Sequence, residues 1–211
     1  MATTNNPSSV LYQLRNLMPK RPLTQFEAYR LAELQANHLL HGAGIEHPGT
    51  PDEIVTGLPF LQIQLRGDLP ISGLTNWYKP RWLIILNSSE PAVRRRFTLM
   101  HEFKHLLDHG LAERCYPSTT WMNSNDRAEL VSDYFAASLL MPRRLVKRRF
   151  GQGLQDATDL AAEFGVSPQA MRYRLQQLGL IGRTPRCDYP LRSTKDLNGY
   201  FRRARVMETA A

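Results

Sequence analysis

Two histidines four residues apart, His101 and His105, lie inside an apolar pattern that repeats every 3.6 residues. No other stretch constrains the fold as tightly. Leu99, Met100, Phe103, Leu106 and Leu107 carry the repeat, which predicts a buried amphipathic helix from about Ala92 to His109. Side chains four apart on a helix leave the same face, one turn above each other. Both imidazoles can then reach one zinc ion, each nitrogen about 2.0 to 2.1 Å away. Glu102 points beside the same spot and completes the His-Glu-x-x-His pattern of zinc hydrolases, in which the glutamate is the general base. The competing reading of five residues is a half-buried helix that happens to carry two histidines, so a third ligand has to come from elsewhere in the chain.

Catalytic zinc takes three protein ligands and leaves a fourth position open. His109 continues the four-residue series, but it would sit about 12 Å from His101 along the helix axis, too far to share a metal. Glu129 is the better candidate. It opens a second predicted helix in which Val131, Phe135 and Leu139 form one stripe, and it shares a face with Asp133, four residues on. Glu129 can ligate the metal while Asp133 accepts the second N–H of a zinc histidine and fixes its ring. The alternative is a capping box between Asp126 and Glu129, in which Glu129 only bonds the first backbone amides of its helix.

The stretch from Arg95-Arg96-Phe97 through His101-Glu102-Phe103-Lys104-His105, followed by Glu129 and then Phe135-Ala136-Ala137-Ser138-Leu139-Leu140-Met141-Pro142, resembles the ImmA/IrrE family of zinc metallo-endopeptidases. Ile71-Ser72-Gly73 and Trp82 to Asn87 extend the resemblance upstream, and it continues downstream to about Ile181. It implies one zinc per chain held by His101, His105 and Glu129, with Glu102 as catalytic base and Asp133 as supporting acid. It also implies a regulatory rather than digestive protease, whose substrate is a repressor or antitoxin-like helix-turn-helix regulator. Two positions depart from the family pattern. Lys104 stands where glycine is common, which predicts a lysine beside the metal face that narrows the cleft or changes which side chains it accepts, and Ser132 stands where alanine is usual.

The expected fold class is α+β: a small antiparallel sheet packed on a zincin-type active-site helix, with a helical, helix-turn-helix-like subdomain after it. The chain divides into a loose start at 1–22, a metallopeptidase domain at 23–142, the helical subdomain at 143–182 and a basic tail at 183–211. Thr24 and Glu27 form a capping box for a helix running to about His41, with Leu31, Leu34 and His38 on one face. Asp52 to Thr56 reads as a short helix, and Phe60–Leu65, Ile71–Tyr78 and Arg81–Asn87 read as strands. Trp82 to Asn87 leads into the metal helix and is the expected strand near the substrate-binding edge. For the oxyanion, Tyr78, His109, Tyr116 and Tyr134 are the candidate donors.

Charge divides the chain more sharply than any other property. Residues 1–142 hold 13 Lys/Arg and 13 Asp/Glu, and residues 143–211 hold 14 and 6, so the formal +8 belongs to the last third. That third supports a rival reading, a DNA-binding regulator or protein-binding partner with structural zinc and little peptidase activity. Ala161 at a helix crossing, Gly165 in the turn, Ser167 as cap and Pro168 in the first turn fit a helix-turn-helix, and in a DNA reader Gln169, Arg172, Tyr173 and Arg174 would make the contacts. Cys115 and Cys187 show no paired spacing, and no segment reads as a signal peptide or membrane span. A cytoplasmic chain with free thiols is expected, Cys115 in ordinary packing.

Overall fold

Apolar alternation yields three strands, β1 (Leu61–Arg66), β2 (Gly73–Tyr78) and β3 (Arg81–Asn87), in a computed structural model that describes residues 7–182. The tail at 183–211, with Cys187, lies outside the described residues. Strand β3 is central, parallel to β1 and antiparallel to β2. The sheet is therefore mixed where an antiparallel one is predicted, and β3 is not near an edge. Its composition explains the position: Trp82, Ile84 and Leu86 are buried, and the most apolar strand is best paired on both sides. Strand β2 is one edge. Its residues Gly73, Thr75 and Trp77 stand opposite Leu86, Ile84 and Trp82, so they share the face turned to the core.

Nine helices accompany the sheet among the described residues: α1 (Pro7–Asn16), α2 (Gln25–Gly42), α3 (Glu53–Thr56), α4 (Ala92–Asp108), α5 (Ala112–Cys115), α6 (Ser124–Leu140), α7 (Arg143–Gly151), α8 (Ala157–Phe164) and α9 (Pro168–Gln177). Helix α4 is the expected metal helix. It lies between the sheet and α6, with Leu99, Met100, Phe103, Leu106 and Leu107 buried, and its Phe103 ring meets Phe135 of α6 at 6.3 Å between centroids. On its far side α6 packs on α2, whose Ala28, Ala32 and Ala36 allow close approach, while Leu34 is exposed instead of sharing the buried stripe. Both reciprocal bonds of the Thr24–Glu27 capping box are present at the start of α2. No helix among the described residues is long and apolar enough to cross a membrane.

Within the start expected to be loose, residues 7–16 form α1. Leu14 is fully buried, Met18 and Leu23 nearly so, and the Leu14 carbonyl accepts a 2.9 Å bond from Gln35 Nε2. Sparse apolar residues suffice there because Leu14, Met18 and Leu23 all reach the core.

Lys104 does not face the metal side. It is fully buried on the opposite flank of α4, where its Nζ donates to Asp108 Oδ1 (2.5 Å), Gln35 Oε1 (2.8 Å) and the Tyr116 hydroxyl (3.3 Å). Tyr116 in turn donates to Asp108 Oδ2 at 2.9 Å. Burial pulls the lysine pKa down and pushes the tyrosine pKa up, while Asp108 works to keep Lys104 charged. Replacing one member of such a pair strands the other charge at about 3–5 kcal/mol. Lys104→Met is expected to lower the melting temperature by about 6–20 °C, at roughly 2–4 °C per kcal/mol for a chain of this size. In Lys104→Met/Asp108→Leu part of the loss should be recovered, because no charge is left unpaired, although Gln35 and the Tyr116 hydroxyl lose these partners. A thermal melt of the single variant matching wild type would show that the network contributes nothing.

The change in charge after Pro142 is not a break in packing. Arg96 of α4 bonds the Phe164 and Gly165 carbonyls at 3.1 and 2.9 Å, and Arg174 of α9 bonds the Met141 carbonyl at 3.0 Å. Gly165 between α8 and α9 takes the left-handed conformation, φ 64°, that glycine adopts without strain, and Ser167 caps α9 through the Ala170 amide.

Candidate metal centre

Helices α4 and α6 cross so that one turn of each faces the other. From α4, His101 and His105 bring their Nε2 atoms to 3.0 Å of one another. From α6, Glu129 places one carboxylate oxygen 3.1 Å from His101 Nε2 and the other 3.2 Å from His105 Nε2. Two ligands each about 2.0–2.1 Å from a tetrahedral zinc stand about 3.3–3.4 Å apart, so three donors separated by 3.0 to 3.2 Å fit one such ion after a small relaxation. The chemistry of the set agrees with the spacing: two imidazoles and one carboxylate, with one side open to solvent. These are also the residues whose ligand atoms all lie within 4.8 Å of one another.

Asp133, one turn beyond Glu129, accepts from the other ring nitrogen of His101 at 2.8 Å. That bond fixes which nitrogen of His101 faces the site. The Asp126–Glu129 capping alternative does not hold. Asn123 is the N-cap of α6 and its side chain accepts from the Asp126 amide at 2.8 Å, which leaves Glu129 to the histidines.

The electrostatics of the cluster favour a cation. Burial lowers the His101 pKa, but the hydrogen bonds to Asp133 and Glu129 outweigh it and hold the ring up at about 10. For Glu129, burial raises the pKa and the hydrogen bonds from both histidines overcome it, keeping the carboxylate well below its usual range. With no divalent ion, a proton on His101 answers the same pair of carboxylates.

Glu102 is nearly buried beside the histidines. Its Oε2 lies 2.8 Å from the Thr75 hydroxyl of edge strand β2, and its own carbonyl lies 2.9 Å from the same hydroxyl. The strand reaches the helix because of Gly73. A Cβ at that position would stand 2.6 Å from Thr98 Cγ2 and 3.1 Å from the Ile85 carbonyl oxygen. A cleft of ≈ 260 Å³ opens over the cluster, lined by Ser72, Gly73, Arg94, Phe97, Thr98, His101, Glu102, Glu129 and Asp133. His101 and Glu129 of the candidate ligand set line it together with Glu102, and Gly73 brings the start of edge strand β2 to its rim.

Thr75 and Arg94 join the candidate site without any motif to mark them, whereas Ser72 and Gly73 fall in the stretch that resembles the family. A glycine inside a predicted strand is the signal that marks Gly73, since it flags close approach of a backbone or ligand. None of the four aromatic or imidazole oxyanion candidates lines the cleft. Tyr116 is fully buried and bonded to Asp108, Tyr134 stacks on Tyr29 at 4.5 Å, His109 meets Trp82 edge-on at 4.8 Å, and Tyr78 lies exposed at the far end of β2. Cys115 is a buried free thiol.

Of the residues considered for nucleic-acid contact, Gln169, Arg172 and Tyr173 are exposed on α9, but Arg174 is not available. It is 1 % exposed, with its guanidinium over the Tyr134 ring at 5.4 Å, because it serves the carbonyl left at the end of α6. Exposed Asp156 and Asp159 lie at the start of the neighbouring α8, and Asp156 is close enough for Arg172 to lower its pKa, after the backbone amides of Asp159 and Thr158.

A family model for the IrrE N-terminal-like domain, Peptidase_M78, matches residues 66–176. That span contains every residue of the cleft. A comparison with curated proteins finds no match. The fold is similar to that of a solved Mycobacterium tuberculosis transcriptional regulator, with a TM-score of 0.58 at 15% sequence identity over 84% of this chain and 53% of that one. The chain thus spans about half the length of that structure.

Proposed function

Because the chain belongs to the IrrE N-terminal-like domain family and carries its metallopeptidase-like domain, we propose that it is a zinc-dependent endopeptidase that cleaves a regulatory protein. The observation that carries this reading is the convergence of His101, His105 and Glu129 within hydrogen-bonding distance of one another, beside a nearly buried Glu102. One zinc per chain held there would polarise the scissile carbonyl and acidify a water to near neutrality.

The remaining chemistry falls to the protein. Glu102 takes the proton from the attacking water and returns it to the leaving amine as the C–N bond breaks. Asp133 keeps His101 in the orientation the site requires. The open edge of β2 offers backbone groups to an extended peptide, which would lie across the cleft in strand-addition fashion. This moves the substrate edge from β3, expected from sequence, to β2.

The family resemblance favours a helix-turn-helix transcriptional regulator as substrate and a cytoplasmic setting. The DNA-binding reading draws on the basic last third, yet α9 loses Arg174 to the interior and has acidic neighbours on α8. A gel shift of duplex DNA that weakens steeply with salt and disappears in Arg172→Ala would restore it.

The experiment that tests the enzymatic reading is elemental mass spectrometry of the purified full chain, followed by incubation with fluorescein-labelled casein with and without EDTA. We expect about one zinc per chain, and cleavage that EDTA abolishes and added zinc restores. A chain that takes up no zinc at neutral pH sinks the reading.

A further inference from the structure

We propose that Thr75 is a positioning residue for the catalytic base: its hydroxyl fastens the Glu102 carboxylate to edge strand β2 and so sets the direction from which the proton is taken. This rests on the hydrolase reading above and extends it to a residue that no metal-site motif contains.

The geometry points to Thr75 in three ways. The hydroxyl lies 2.8 Å from Glu102 Oε2 and 2.9 Å from the Glu102 carbonyl, yet it has one proton to give. The carbonyl belongs to a helix and has an amide partner four residues on, whereas the carboxylate is charged, so the carboxylate is the stronger acceptor. The second point is rigidity. A β-branched residue in a strand has a stiff χ1, so Thr75 Oγ1 is held as firmly as β2 itself. Gly73, two residues earlier on the same face, lets β2 sit close enough to α4 for the bond to form. The third point is that Thr75 acts from the sheet while the metal-facing histidines act from α4. Base and ligands leave one helix at positions 101, 102 and 105, and only the base receives a second support from the sheet.

A glutamate carries three rotatable side-chain bonds. Without a fixed partner it spreads over several rotamers, most of them unsuited to a water above the histidines. Thr75 limits that spread without touching the metal ligands. Among the described residues, no other side chain donates to the Glu102 carboxylate in the bonds the structure shows.

The test uses the full chain loaded with zinc, in the variants Thr75→Val, Thr75→Ala and Thr75→Ser. Valine keeps the shape and removes the hydroxyl, alanine removes both, and serine restores the hydroxyl. Zinc stoichiometry should be unchanged in all three. With fluorescein-labelled casein, kcat is expected to fall about 10- to 100-fold in Thr75→Val and Thr75→Ala with KM unchanged, the loss of one hydrogen bond to a charged group, and to return to within a few-fold of wild type in Thr75→Ser.

Two further readouts do not depend on turnover. Crystal structures should show Glu102 displaced in Thr75→Val and in place in Thr75→Ser, and a leucine-based peptide hydroxamate should bind Thr75→Val more weakly than wild type. Glu102 unmoved in Thr75→Val, with hydroxamate affinity retained, overturns the proposal. If zinc-loaded wild type neither cleaves casein nor binds the hydroxamate, the hydrolase reading is what fails, and the position of Glu102 in the two crystal structures still decides the role of Thr75.

Discussion

Glu102→Gln is expected to lower peptide hydrolysis by about 10²–10⁴-fold, the usual contribution of a positioned general base, while zinc stays bound at wild-type stoichiometry. The substitution is nearly isosteric, and the glutamine carbonyl oxygen can still accept from Thr75 Oγ1 in the place of Glu102 Oε2. What disappears is a basic oxygen able to hold a proton between water and leaving amine. Because none of the metal-facing atoms of His101, His105 or Glu129 bonds to Glu102, the cluster should keep its geometry. The effect should appear in kcat and in kcat/KM alike, as expected when an interaction made only in the transition state is removed. In energy the loss amounts to about 2.7–5.5 kcal/mol. Cleavage by Glu102→Gln at more than a tenth of the wild-type rate, with zinc bound, would show that another group is the base.

What could be read from the chain and what could not divides along a physical line. Helices α4 and α6 were legible because an apolar period of 3.6 is a local property, and ligands four apart on one helix need no knowledge of the rest of the fold. Glu129 and Asp133 were legible as a pair for the same reason. Strand order was not. The alternation in β1, β2 and β3 marks each as a strand, but β1 pairs parallel to β3 across the intervening β2, and that is settled by which strand is apolar enough to be central.

The side chains that misled are long and charged. Lys104 precedes His105 of the candidate ligand set, and sequence alone puts it at the metal face. Its ammonium instead reaches Gln35 and Tyr116, partners 69 and 12 residues away in sequence. Arg174 reads from sequence as a surface arginine of a recognition helix, but it bonds the Met141 carbonyl, 33 residues earlier in the chain. Thr75 has no local signature at all. It matters because β2 lies against α4, and only the tertiary fold brings residues 75 and 102 together.

Glu129→Ala is expected to strip zinc from the protein, from about one ion per chain to near none after dialysis against metal-free buffer. Two histidines remain in that variant, and catalytic zinc sites hold their ion with three protein ligands. The lost carboxylate also carries the negative charge that answers the cation: with no metal bound, Glu129 and Asp133 are what hold His101 protonated up to about 10. Removing Glu129 therefore takes away a ligand and part of the attraction together. The fold should persist, because the Glu129 side chain is half-exposed and its ion pairs are to the two histidines.

Asp133→Ala provides the calibration. Asp133 touches only the far nitrogen of His101, so its loss should weaken zinc by about 10–100-fold, the usual cost of an outer partner, and leave a measurable site. Zinc titrations against a competing chelator rank the three proteins as wild type, then Asp133→Ala, then Glu129→Ala. The reverse order for the two variants would make Asp133 the ligand and Glu129 its support. Equal zinc retention in Glu129→Ala and wild type at submicromolar metal would remove α6 from the metal site altogether, leaving the crossing of α4 and α6 as packing alone.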